Sequence, residues 1–108
     1  MKTHRDKVFI NTAFTAVQGV VNENFTTLTK IFGPCEDAGF DQVDWQWTLL
    51  FDDGEVATIY NWKDGPAYTG NWHIKPTEID EWRVGGHTPK AHVKVLQTIA
   101  RWKKENMS

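Results

Sequence analysis

The sequence predicts an α+β domain, in which an antiparallel sheet with a central hairpin carries two helices packed on one face. Residues 43–63 alternate between apolar and polar positions on both sides of Asp53-Gly54, as a hairpin does. Two other segments, one after Asn24 and one after Pro89, repeat apolar residues at helical spacing. Because 108 residues suffice for one domain and are too few for two, we expect a single domain over residues 1–108.

The first part of the chain predicts a strand and then a short helix. Residues 7–21 are rich in β-branched and aromatic residues around Gly19, which indicates one bent strand or two short ones. Asn22 or Asn24 can cap the helix that follows, and Gly33-Pro34 ends it. The apolar stripe of this helix consists of Phe25, Leu28, Ile31 and Phe32.

The hairpin is expected to turn through two residues, Asp53 and Gly54, in a type I′ turn. This register pairs Phe51 with Val56 and Trp47 with Tyr60, and it places the aromatic residues on one face. The opposite face then carries Asp44, Gln46, Thr48, Leu50, Ala57, Ile59, Asn61 and Lys63.

That opposite face mixes an apolar patch with polar groups. We expect Leu50, Ala57 and Ile59 to form an interface between copies of the chain, since exposed contiguous apolar surface often marks an interface. A ligand platform is a second possibility. The remaining possibility is that residues 64–79 cover the face.

The remaining segments complete the predicted order β, α, β, β, β, α. Residues 35–42 are expected to form a loop, and residues 64–79 an extended connection with a short strand near 72–74. Residues 81–84 predict another strand. Thr88 is a natural cap for the last helix, with Pro89 as its first residue. The apolar stripe of the last helix consists of Val95, Leu96, Ile99 and Trp102.

Composition narrows the classes of partner. The formal net charge of −2 argues against binding to a nucleic-acid polymer, which usually requires a basic face. No apolar run approaches the ~20 residues of a membrane span, so we expect no membrane partner. A single cysteine, Cys35, and an N-terminus without a secretion signal predict a cytoplasmic location.

Few residues suggest catalysis, so we expect no enzymatic activity, no cofactor and no metal. The one serine is Ser108, and the adjacent carboxylates Asp52 and Asp53 suit a turn. His87 and His92 are five residues apart, whereas a helical zinc site favours a spacing of four.

The segment from Gly85 to Thr88 has more chemical content. A glycine pair before a helix N-terminus can present free backbone N–H groups to a phosphate or carboxylate, and Arg83 lies two residues earlier. The alternative is a strand-to-helix turn in which glycine only supplies tight geometry.

Three blocks of the sequence resemble a group of small bacteriophage proteins. They are DGEVATIYNWKDG at residues 53–65, DEWRVGG at 80–86 and IFGPCED at 31–37. This chain has Arg83 where the group's pattern more often has His, and Val84 where it has Ile. The group looks like the viral sponge proteins that counter Thoeris and related cyclic-nucleotide immunity.

The resemblance implies a homo-oligomer in the host cell cytoplasm that binds and sequesters a cyclic nucleotide signal without cleaving it. The base of the nucleotide could stack on Tyr60 or Trp62. Two alternatives are a protein-interaction inhibitor of a host enzyme and a small phosphodiesterase that uses His73 or His87. The candidate ligand-binding residues are Asn61, Lys63, Trp82, Arg83, Gly85, Gly86, His87 and Thr88.

Overall fold

The computed structural model describes residues 1–6, 9–40, 43–61 and 76–106, and in these ranges it confirms the α+β class. The sheet is antiparallel, with strand order β1-β4-β5-β6-β2, and β3 pairs with another part of β4. The strands are β1 (Lys2–Thr3), β2 (Ala16–Asn22), β3 (Glu36–Phe40), β4 (Val43–Leu50), β5 (Val56–Tyr60) and β6 (Glu81–Gly86). The helices are α1 (Phe25–Phe32) and α2 (Lys90–Asn106).

Several elements differ from the sequence prediction. The expected loop at 35–42 contains β3, because Glu36 and Asp37 pair with Gln46 and Trp45 of β4. The two-residue strand β1 was not predicted, and β6 extends two residues beyond the predicted strand at 81–84. The strand expected near 72–74 lies outside the described residues.

Both helices follow their predicted stripes. Asn24 caps α1, since its side-chain oxygen accepts a hydrogen bond from the Thr27 N–H at 2.8 Å. Leu28 and Phe32 of α1 are buried, as are Val95 and Ile99 of α2. Leu96, which we expected in the buried stripe of α2, is exposed instead. No helix among the described residues is long and apolar enough to cross a membrane.

The hairpin between β4 and β5 turns through three residues, so the predicted two-residue turn is wrong. Gly54 N–H donates to the Phe51 carbonyl and Phe51 N–H donates to the Glu55 carbonyl, both at 2.9 Å. Gly54 has φ 90°, a value that glycine adopts without steric cost. Three-residue loops ending in a left-handed glycine are common in hairpins. The longer loop shifts the register by one residue.

This shift reverses the faces of β5. Trp47 pairs with Ile59 and Leu49 with Ala57, rather than with Tyr60 and Thr58. A slip of one residue moves every side chain of a strand to the other face of the sheet. Ala57 and Ile59 are therefore fully buried in the core, and the predicted interface is wrong for both. Leu50 is partly exposed on the opposite side.

One apolar cluster combines side chains of both helices with the strand residues that point to one side of the sheet. At its centre the rings of Trp47 and Trp82 meet edge to face, with centroids 5.2 Å apart, and Phe25 of α1 packs against both. The indole N–H of Trp47 donates to the Gly33 carbonyl at 2.7 Å, which ties the end of α1 to the sheet. We call this side of the sheet the core face; its strand residues are Val21, Trp47, Leu49, Ala57, Ile59, Trp82 and Val84.

Candidate functional site

The other side of the sheet, which we call the second face, presents two rows of paired residues across neighbouring strands. These residues alternate with those of the core face, so their side chains point the opposite way. The first row is Gln46, Tyr60, Arg83 and Val20, and the second is Thr48, Thr58, Gly85 and Val17. Aromatic, cationic and hydroxyl groups thus lie side by side on one surface.

The pair formed by Tyr60 and Arg83 is the chemically distinctive part of this face. The two residues are direct cross-strand partners on β5 and β6, and both are partly exposed. Burial raises the pKa of the Tyr60 phenol, and the positive charge of Arg83 opposes that rise. The phenol therefore stays protonated at neutral pH.

The second row is organised by hydrogen bonds. The Thr48 hydroxyl donates to the Glu36 carboxylate at 2.8 Å and accepts from the Gln46 amide at 3.2 Å. Thr48 and Thr58 are both buried. Because buried polar groups are costly unless they are paired, the Glu36 carboxylate stabilises the fixed position of the Thr48 hydroxyl.

Gly85 gives the two rows room to meet. A Cβ at this position would lie 2.6 Å from the Thr58 hydroxyl oxygen and 3.4 Å from a ring carbon of Tyr60. The bare glycine thus lets both side chains lean across β6. This is the role that the structure gives Gly85, in place of the predicted role in an anion-binding turn.

The predicted glycine turn is wrong, because Gly85 and Gly86 belong to strand β6. Both residues pair with β2 on one side and with β5 on the other, so their backbone groups belong to the sheet ladder. Gly86 faces α2, where an added Cβ would overlap the Cβ of Ala91 and lie 3.0 Å from the Val56 carbonyl oxygen. Its glycine is therefore required for close helix packing.

The start of α2 contacts a carboxylate of the protein itself. The Thr88 hydroxyl donates to the Glu55 carboxylate at 2.7 Å and lies 3.2 Å from the Lys90 N–H, as a capping residue does. Glu55 thus supplies the negative charge that a helix N-terminus favours. His87 is exposed, with its Nε2 2.9 Å from the Asn11 carbonyl oxygen.

The other predicted ligand residues are structural or undescribed. Asn61 is buried, and its side-chain oxygen accepts from the Trp45 N–H at 2.8 Å, which holds the open end of the hairpin. Trp82 is 0% exposed and lies in the core, so it offers no surface for stacking. Lys63 lies outside the described residues. Besides Gly85, Arg83 is the predicted ligand residue that the structure places on the second face.

Sequence reasoning named Tyr60 as one possible stacking residue but did not place it beside Arg83. That pairing depends on β5 and β6 being neighbours in the sheet, and no short-range pattern in the sequence specifies which strands are adjacent. The described residues contain no group of three His, Cys, Asp or Glu side chains that could hold a metal ion.

Comparison with known proteins finds no family model, no curated protein and no solved structure that matches this chain. The resemblance to phage sponge proteins therefore stays a prediction from three sequence blocks.

Proposed function

We propose that this protein binds a cyclic nucleotide signal on the second face and sequesters it without cleaving it, as a phage anti-defence sponge. The observation that supports this most is the pairing of Tyr60 with Arg83. A nucleotide requires an aromatic surface for its base and a cation for its phosphate. Cross-strand partners stand about 4.5–5.5 Å apart at Cβ, which is close enough for both groups to contact one nucleotide.

The two groups would contribute comparable binding energy. Stacking of a base on an aromatic side chain contributes about 1–3 kcal/mol. A hydrogen bond between a charged donor and a phosphate contributes about 1.5–3 kcal/mol.

The same chemistry favours binding over turnover. The Tyr60 phenol is protonated at neutral pH, so it serves as a hydrogen-bond donor and cannot accept a proton from water. The Arg83 guanidinium has no free lone pair to act as a base. Both groups can hold a phosphate, but neither can activate a nucleophile to attack it.

In this proposal the protein acts in the cytoplasm of the host cell, where the signal is made, and it acts as a homo-oligomer. The proposed partner is a small molecule, and no cofactor is required. Since Ala57 and Ile59 are buried, the contact between copies must use another surface.

The binding claim is tested by calorimetry of the purified protein against a panel of cyclic dinucleotides, cyclic trinucleotides and cyclic ADP-ribose isomers. Arg83→Ala should weaken the best ligand by about tenfold or more, since the lost contact is charge-assisted. Arg101→Ala is the matched control, because Arg101 is exposed on α2 and lies outside the second face. Equal affinity for Arg83→Ala and Arg101→Ala would contradict the proposed site.

The sequestration claim is tested by recovering the ligand. The protein is incubated with a stoichiometric amount of bound nucleotide and then denatured by heat, and the released nucleotide is analysed by chromatography. A sponge returns intact nucleotide. A linear or dephosphorylated product would favour the phosphodiesterase alternative, and failure to take up any member of the panel would favour the protein-interaction inhibitor.

A further inference from the structure

We infer that strand β2 and the flank of α2 beside it form the surface through which two copies of this chain associate. Exposed apolar side chains gather there in both layers of the domain. On β2, Val17 is 51% exposed and Val20 40%, and on α2, Val93 is 48% exposed and Leu96 41%. Exposed apolar side chains on both sides of one sheet edge favour an interface along that edge.

The chemistry of β2 differs from that of the strands on the other side of the sheet. Among the described strands β2 pairs with β6 alone, so it is an edge, and its residues Ala16–Asn22 include no charged side chain. Across the sheet, β1 carries Lys2, and β3 carries Glu36 and Asp37. Edge strands usually carry charges that prevent pairing with another chain. The β2 edge has none.

A groove runs between β2 and α2 and has the composition of an interface. Its lining includes the apolar side chains of Leu96, Ile99 and Ala100. It also includes the ion pair between Glu23 and Lys103, with nitrogen and oxygen 2.5 Å apart. Protein–protein contacts combine apolar and polar side chains in this way.

His92 contacts the backbone of this edge strand. Its ring packs against Gly19, where an added Cβ would lie 2.6 Å from the ring, and its Nε2 is 2.8 Å from the Val20 carbonyl oxygen. The histidine thereby holds α2 close to the edge strand. Val20 stays 40% exposed on the other side of the sheet.

A second copy of the chain fits this surface because the surface is self-complementary. An antiparallel pair of β2 strands can form about a two-fold axis perpendicular to the sheet, which keeps both α2 helices on the same side. The axis brings the uncharged edges together and sets the two apolar flanks of α2 facing one another. Strand β2 itself brings no charged side chain into such a contact, which keeps its desolvation cost low.

The available area suits a reversible dimer. Seven residues at about 3.4 Å each give an edge about 24 Å long, and a sheet and a helix at about 10 Å per layer give a depth of about 20 Å. The product is about 500 Å² of projected area per copy, or about 1,000 Å² for the pair, which is near the lower limit of specific interfaces. We therefore expect association at micromolar concentration.

This inference rests on the β2 edge alone and does not require that any nucleotide be bound. The test is sedimentation equilibrium of the full chain without ligand. The wild type should approach twice its monomer mass of 12.4 kDa as its concentration rises through the micromolar range. Val20→Lys should raise the dissociation constant about tenfold or more, because the two-fold axis brings two like charges together.

Leu96→Glu tests the contribution of α2 to the contact in the same way. If circular dichroism shows that Val20→Lys is unfolded, Leu96→Glu alone tests the interface. Phe9→Lys is the control, because Phe9 is 88% exposed and lies outside the β2 edge and α2. A wild type that stays at monomer mass would overturn the inference. So would a dimer whose dissociation constant is the same in both variants and in the control.

Discussion

The two faces of the sheet are built from alternate residues of the same strands, yet they differ in what their side chains contact. On the core face, Trp47 and Trp82 meet each other and the apolar sides of two helices. On the second face, Thr48 is hydrogen-bonded to Glu36, and Tyr60 stands beside Arg83. The core face stabilises the fold by burying apolar side chains, whereas the second face presents polar groups held in fixed positions.

The adjacent glycines of β6 show the difference most directly. Gly86 faces α2, where the nearest atoms are the Cβ of Ala91 and the backbone carbonyl of Val56. Gly85 faces the other way, where the nearest atom belongs to the side chain of Thr58. Two residues of identical type thus serve helix packing on one face and side-chain placement on the other.

Trp82→Ala should have the largest effect, because it removes a fully buried side chain from the core face. Large-to-small substitutions of this kind cost about 3–5 kcal/mol of unfolding free energy. Tyr60→Ala, at a partly exposed position of the neighbouring strand β5, should cost clearly less while weakening nucleotide binding. Chemical denaturation of the two variants measures both costs. Equal losses of stability would show that the second face is as much a core as the first.

Gly86→Ala should have an intermediate effect. The new methyl group would overlap Ala91 and press on a backbone carbonyl, so α2 must shift, and overpacking of this kind costs about 1–3 kcal/mol. Gly85→Ala is the matched control, since a rotation of the Thr58 side chain can relieve its contact. The lower chain entropy of alanine in the unfolded state, about 0.4–1 kcal/mol, also offsets that cost. Similar melting temperatures for the two variants would contradict the assignment of the faces.

The sequence predicted the α+β class, both helices and strand β4 because each has a strong local signal. Asn24 marks the start of α1, and Trp45, Trp47 and Leu49 keep one parity along β4. The register of β5 could not be predicted in the same way. The strand VATIY has apolar residues on both of its faces, so only the length of the turn could decide the register. Asp52 joins Asp53 and Gly54 in the loop, which makes the turn three residues long.

This one-residue error accounts for much of what was wrong in the site. It moved Ala57 and Ile59 onto a surface when they belong to the core, and it paired Trp47 with Tyr60. The glycine prediction failed for a different reason. A Gly-Gly pair before a helix usually indicates a turn, but here close packing of α2 against β6 requires Gly86 inside a strand. Such a tertiary contact leaves no pattern in the neighbouring sequence.

The smallest expected effect concerns the hairpin tip, where an ion pair joins the loop to α2. Lys94 Nζ lies 2.7 Å from the Asp53 carboxylate; the Lys94 side chain is partly exposed and that of Asp53 is exposed. The hydrogen bond from Lys94, together with one from the Glu55 N–H, holds the pKa of Asp53 below its ordinary value of 3.8. A carboxylate whose pKa is lower in the folded than in the unfolded protein stabilises the fold at pH values above the unfolded pKa. This stabilisation is lost as the pH falls through the folded pKa.

Asp53→Asn keeps an oxygen that can accept from the Glu55 N–H and removes only the charge. If apolar burial on the core face dominates stability, the variant should melt close to the wild type at neutral pH, since solvent screens exposed pairs. On acidification below the ordinary carboxyl pKa of 3.8, the wild type should lose slightly more stability than the variant. Melting curves by circular dichroism from neutral to acidic pH measure the difference, with Lys94→Met expected to behave like Asp53→Asn. A loss at neutral pH as large as that of Gly86→Ala would mean that the tip contact, rather than packing on the core face, holds α2 in place.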